Sequence, residues 1–202
     1  MNVRLATVSD ATAIAETQIS AWQDAYRGRI PDAILAALDV SHGARVWSGV
    51  LAAQHSVVVA VSDSSIVGFC SLTASRDDDA VPGTVAEINA LYVHPRHWRC
   101  GVGRALCSHA FAAAAMAGYS TITLWTLASN SPAIRFYTAV GFDKDGGTKT
   151  ERISSNDIVD ELRMRRAIQL PASNVLFPDL DPQLLDNARR ARRTDCSKHT
   201  AH

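Results

Sequence analysis

The residues best suited to chemistry lie in one stretch, Glu87 to Met116, which reads EINALYVHPRHWRCGVGRALCSHAFAAAAM. An apolar strand breaks at Pro95, passes through a basic turn punctuated by Gly101 and Gly103, and leads into an alanine-rich helix. Backbone N–H groups at a helix start have no intrahelical partner, and the helix dipole makes that end positive. Gly101 and Gly103 let the backbone approach a ligand closely, and Arg99 and Arg104 add charge. A phosphate or pyrophosphate suits such a turn.

Two longer phosphate-binding patterns do not fit. A P-loop needs a lysine and a hydroxyl after its last glycine, and neither follows Gly103 in register. A dinucleotide fingerprint needs a third glycine where Leu106 stands. What remains is a short GxG at a helix start, which alone reads equally as an ordinary turn. His94, His97, Cys100, Cys107 and His109 cluster in sequence but lack the paired spacing of a zinc site, so no metal is expected. Cys107, between Leu106 and Ala110, reads as a small core residue rather than an acyl-carrying nucleophile.

These residues belong to a chain of 202 residues that is 47% hydrophobic and 20% charged, with formal net charge zero. That is ordinary globular composition, with core enough for one domain. The balance offers no electrostatic reason to expect nucleic acid or an anionic membrane as partner. The opening residues are amphipathic and carry acids, unlike a signal peptide, and no run approaches a membrane span. Four cysteines without CxxC pairing (Cys70, Cys100, Cys107, Cys196) read as reduced thiols of a cytoplasmic protein.

The elements that must position the turn follow from pattern. Val3 to Thr7 predicts a strand, and Ser9-Asp10 an N-cap for a helix through about Tyr26. A break at Gly28 precedes a helix from Pro31, and a third helical segment covers about Ala44 to Ala53. Val57–Val61 and Ile66–Thr73 flank a polar turn and predict an antiparallel hairpin. Ser75 to Gly83 is an exposed acidic loop. After the helix ending at Gly118, Ser120–Thr126 is a strand, Ser131 caps a helix with Pro132 in its first turn, and two strands close the pattern to Ile168. Residues 1–170 are expected to form one domain. Residues 171–202, with three prolines and the Arg189-Arg190 and Arg192-Arg193 pairs, are a tail, either partly disordered or an arm packing on a neighbour.

Two motifs together are more specific than the GxG alone. Leu91, Val93 and Pro95 form L-x-V-x-P before the turn; Asn130, Ala133, Phe136, Tyr137, Gly141 and Phe142 form N-x-x-A-x-x-F-Y-x-x-x-G-F after it. At this separation they resemble the GNAT N-acetyltransferase superfamily, over Val3 to about Ile168. The turn departs from the family pattern at Trp98, where Gln or Arg is usual, and Arg99 could supply the missing charge.

The resemblance implies an α/β (mixed α+β) fold of three layers. Its central mixed, mostly antiparallel sheet is flanked by helices and splayed between the fourth and fifth strands. It also implies acetyl-CoA as donor, with no metal, and its pyrophosphate on the N–H groups of Arg99, Cys100, Gly101, Val102, Gly103 and Arg104. Leu91, Tyr92 and Val93 would bind the pantetheine arm through their backbones, and Asn130 would hydrogen-bond it or assist its own helix start. By the same resemblance Glu87 stands where relatives carry a general base. Tyr137 would protonate the leaving thiolate.

The function expected is acetyl transfer to a primary amine by direct attack in a ternary complex. The acceptor, a small molecule or a peptide, would meet Trp22, Tyr26 and Arg27; these read equally as a helix face closing over the sheet. Two rivals stand beside it: a non-catalytic acyl-CoA-binding or regulatory module on the same scaffold, and a nucleotide-binding protein. The final strand and the segment after Pro171 could support a homodimer.

Overall fold

The structure, a computed structural model, describes residues 1–53, 56–155 and 157–169. The tail expected at 171–202, with Cys196 and the paired arginines, lies outside them. In chain order the elements are β1 (Asn2–Leu5), a 3-10 turn (Val8–Asp10), α1 (Ala11–Ala25), α2 (Asp32–Ala36), α3 (Val40–Ala52), β2 (Ser56–Ser62), β3 (Ser65–Ala74) and β4 (Val85–Val93). A second 3-10 turn (Pro95–His97) leads to α4 (Val102–Ala117), β5 (Thr121–Leu127), α5 (Ser131–Ala139), β6 (Asp143–Arg152) and β7 (Ile158–Ala167). The strands form one sheet in the order β1-β2-β3-β4-β5-β7-β6. Every pairing is antiparallel except β4 with β5. The mixed, mostly antiparallel sheet is as expected.

Alternation along the strands divides the core into two layers. Val58, Cys70, Leu72, Ile88, Ile122 and Leu124 meet α4, whose buried face is Leu106, Cys107, Ala110, Ala113, Ala114 and Ala117. Small residues bring that helix close: a β carbon on Gly68 of β3 would lie 3.0 Å from Val102 and 3.1 Å from Leu106. The opposite faces of β2, β3 and β4, with Val57, Val59, Phe69 and Ala90, meet α1 and α3 through Ile14, Ala15, Trp47 and Leu51. Each fully buried aliphatic of this size contributes about 1.5–3 kcal/mol of transfer free energy.

Local chemistry explains where the elements begin. The β2–β3 turn places Asp63 at φ 48° and Ser64 at φ 63°, the two left-handed residues of a type I′ hairpin. Helix α3 begins four residues before the pattern predicts, because Asp39 caps it by accepting the His42 N–H at 2.6 Å. The cap outweighs the poor helix formers Ser41 and Gly43 behind it. Strand β1 ends at Leu5 rather than Thr7. Thr7 caps the first 3-10 turn instead, and its N–H donates to Asp10 Oδ2 at 2.7 Å. At α5 the cap is Asn130, not Ser131: its Oδ1 accepts the Ala133 N–H at 3.3 Å, and Ser131 and Pro132 are already helical.

Candidate active site

The parallel pairing of β4 with β5 covers only Val85–Glu87 against Thr121–Thr123. Beyond Thr123, β5 stays with β7 through Leu127, so one edge of β4 from Ile88 to Val93 is bare. The sheet therefore opens between its fourth and fifth strands. At the opening β4 carries a bulge: Leu72 of β3 pairs with Ile88 and Ser71 with Ala90, leaving Asn89 unpaired and exposed in an otherwise buried run. The extra residue changes the alternation. Ala86, Ile88, Leu91 and Val93 pack with the α4 layer, while Ala90 and Tyr92 pack with the α1 layer.

The bare edge has a defined polarity. His94 N–H donates to Val67 O of β3 at 2.9 Å. By alternation the Tyr92 backbone also faces β3, whereas Leu91 turns its N–H and C=O, and Val93 its N–H, to the gap; the Val93 carbonyl is taken by the Trp98 indole. A strand offers one edge only every second residue, so Leu91 and Val93 are the two of the three expected residues whose backbone faces the gap.

The turn that follows is built to keep its amides free. The His94 ring accepts the Arg96 N–H at 3.3 Å, and Trp98 N–H donates to Pro95 O at 3.1 Å. Arg99 at φ 64° and Gly101 at φ 83° then reverse the chain through the left-handed region. Ala105 is the first residue to donate back, to Gly101 O at 3.0 Å, so Val102, Gly103 and Arg104 have no intrahelical acceptor. Trp98 does not stand in for a cation. Its indole Nε1 donates to Val93 O at 2.6 Å and pins the turn to the end of β4. Gly103 also makes room for packing: a β carbon there would meet the Phe136 ring at 3.0 Å.

Glu87 is 8% exposed and sits at the closed end of the gap, opposite Thr123. Its carboxyl is pushed above the usual carboxylate range by burial first and by the Asp77 charge second, with Arg76 and Lys149 opposing. Tyr137 packs edge-to-face on Phe142 at 5.9 Å and forms no hydrogen bond to another described residue. Burial raises its phenol above the ordinary value, with smaller contributions from Cys107 and Tyr92, so it is fully protonated at neutral pH. Tyr137 belongs to the α4 layer and Tyr92 to the α1 layer.

Trp22 and Tyr26, one turn apart at the end of α1, stack edge-to-face at 5.3 Å, and Trp22 continues to Tyr92 at 6.3 Å. The Tyr26 phenol is also raised, by burial first and then by Tyr92 and Tyr137. Thus Trp22, Tyr26, Tyr92 and Tyr137 come together around the gap. Arg27 does not join them. It is exposed and pairs with Asp24 at 3.4 Å, whereas Arg29 ties α1 to the start of α5 by donating to Ser129 O at 3.1 Å.

Sequence reasoning missed the polar floor beside Glu87. Arg163 of β7 donates to Asp145 at 2.8 Å, to Asp77 at 3.1 Å and to both oxygens of Asp79 at 2.6 and 2.7 Å. Asp77 also accepts the Trp125 indole N–H at 3.0 Å, which fixes the β3–β4 loop against β5. The available signals were the alternation of Glu161, Arg163 and Arg165 along β7 and the lone polar Asn89 inside EINALYV.

The model of the acetyltransferase (GNAT) family matches residues 18–142, which contain the gap, the turn and the Asn130–Phe142 motif. The chain belongs to this family. It is therefore an acetyltransferase. Among relatives, the uncharacterized N-acetyltransferase YuaI of Bacillus subtilis is 28% identical over 144 residues, 69% of this chain and 78% of the relative. The GNAT fold recurs in the PaiA N-acetyltransferase of Thermoplasma acidophilum, solved with coenzyme A (TM-score 0.63, 16% identity, 83% of this chain and 99% of that one). It recurs also in YncA of Salmonella typhimurium, solved with its cofactor acetyl-CoA (TM-score 0.62, 21% identity, 87% and 98%).

Proposed function

We propose that the protein transfers the acetyl group of acetyl-CoA to a primary amine by direct attack in a ternary complex. The observation that carries this reading is the continuous track formed by the bare Leu91–Val93 edge and the free amides at the start of α4. An amide-bearing pantetheine arm can add to that edge as a strand would, and its pyrophosphate then falls on the N–H groups of Val102, Gly103 and Arg104, flanked by Arg99. Such a ligand would bring its thioester to the gap, between Glu87 and Tyr137. The coenzyme found in the PaiA and YncA structures supports the same donor.

The residues divide the chemistry as follows. The amine must be neutral to attack, and free alkyl amines hold their proton to about pH 10.4. Glu87, buried and raised, accepts a proton directly or through water as the C–N bond forms. Tyr137, protonated and without a competing hydrogen bond among the described residues, donates its proton to the departing thiolate as the C–S bond breaks. Asn130 acts chiefly by capping α5, which carries Tyr137. Trp22, Tyr26 and Tyr92 form the acceptor wall, and Trp98 shapes the turn.

A screen of primary amines with acetyl-CoA, following thiol release, tests the reading. Release that depends on the amine, with the acetylated product seen by mass spectrometry, is expected. Binding of acetyl-CoA without release for any amine would leave a non-catalytic module.

A further inference from the structure

Lys149 of the exposed edge strand β6 folds back against the sheet. Its Nζ lies 4.4 Å above the Trp125 ring centroid and 3.2 Å from Glu161 Oε2. An indole face and a carboxylate, converging on one point, form a receptor for an alkyl ammonium. Trp125 follows Thr123 by two residues on β5, so both project from one face, about 7 Å apart. Thr123 stands opposite Glu87. The same ion pair is within electrostatic reach of both sides of the cleft: Lys149 acts on Glu87, and Glu161 on Tyr26 and Tyr92. The receptor thus lies between the candidate base and the aromatic wall. Its present occupant is a side chain that is itself 42% exposed.

We propose that Trp125 and Glu161 form a cation subsite of the acceptor pocket, and that the acceptor class is a short diamine or an amine carrying a second cationic group. This rests on the acetyl-transfer reading above. One nitrogen, neutral, attacks the thioester carbonyl near Glu87; its surplus proton passes to Glu87 and the thiolate takes the Tyr137 proton. The second nitrogen stays an ammonium and displaces Lys149 from the indole face. Lys149 is then a tethered competitor, which favours acceptors whose cation outbinds it. The aspartates Asp77, Asp79 and Asp145 hold Arg163 and Arg165 alongside, and Arg163 itself lies 5.6 Å from the Trp125 ring centroid, so this indole already accepts cations.

The test compares diaminobutane with butylamine, which share a chain length and differ in the second nitrogen. The expected result is a kcat/KM ratio of about tenfold or more in favour of the diamine, the scale of one partly desolvated cation–π contact. Glu161→Gln should collapse that ratio toward one. Lys149→Met should widen it by lowering KM for the diamine. Thermal unfolding with and without acetyl-CoA verifies that each variant is folded and binds donor. A ratio near one in the unaltered protein, or a ratio that neither variant moves, overturns the cation subsite while leaving acetyl transfer standing. No thiol release with any amine, despite donor binding, overturns the acetyl-transfer reading itself.

Discussion

The missing side chain of Gly103 is filled by the ring of Phe136: a β carbon there would lie 3.0 Å from Cζ and 3.2 Å from Cε2. This contact joins the first turn of α4, where the anion turn ends, to α5, which carries Tyr137. The two sequence motifs are thus one packed unit. Gly103→Ala forces the half-buried ring to shift, and overpacking of this kind costs about 1 kcal/mol. The expected outcome is a small fall in melting temperature with a larger, several-fold loss of acetyl-CoA affinity, measured by calorimetry. Unaltered donor affinity would show that the turn and α5 are positioned independently.

Tyr137→Phe keeps the ring against Phe142 and removes only the hydroxyl. If that hydroxyl supplies the proton to the thiolate, turnover should fall by about 100-fold with donor affinity within a factor of two. Steady-state thiol release and a binding isotherm measure the two separately.

The Glu87 carboxyl is raised, so its base form is lost at a higher pH than for an exposed glutamate. The rate should therefore climb with pH through an acidic limb that lies above the ordinary carboxylate value of about 4.3. Glu87→Gln should remove that limb and lower kcat. A pH–rate profile of the variant that still bends at acidic pH would assign the base elsewhere.

Arg163 is 9% exposed and neutralises carboxylates that otherwise repel one another. Arg163→Met should cost about 3 kcal/mol, because breaking a buried pair leaves uncompensated charge. It should also move the acidic limb of activity upward, since Asp77 would then act on Glu87 without its partner. Urea unfolding and the pH–rate profile report the two effects.

The Asp10 carboxyl is held at about 2 by hydrogen bonds from Arg4, at 2.7 and 2.9 Å, and from Thr7. A carboxyl lower in the folded than in the unfolded chain contributes stability that is complete above about pH 4 and lost as pH falls toward 2. Asp10→Asn should unfold more readily at neutral pH and show a smaller decline between about pH 4 and 2. Denaturant midpoints across that range measure it.

Local chemistry determined much of this protein from sequence alone. Gly118 ends a helix in the left-handed region, Pro95 stops β4, and two polar residues turn the β2–β3 hairpin, because each acts through its own backbone. The GxG turn and the Asn130–Phe142 motif were likewise visible, and so was the open sheet their resemblance implies. What sequence could not decide is which partner each group meets. Trp98 stands in sequence only as a departure from the family pattern, and the fold sets its indole on Val93 O; the fold likewise sets the Phe136 ring against Gly103. Strand alternation turns the Tyr92 backbone toward β3, while its ring joins Trp22. The floor of Asp77, Trp125, Glu161 and Arg163 is drawn from a loop and two strands far apart in the chain. Only sheet closure sets those charges side by side, and with them the field around Glu87.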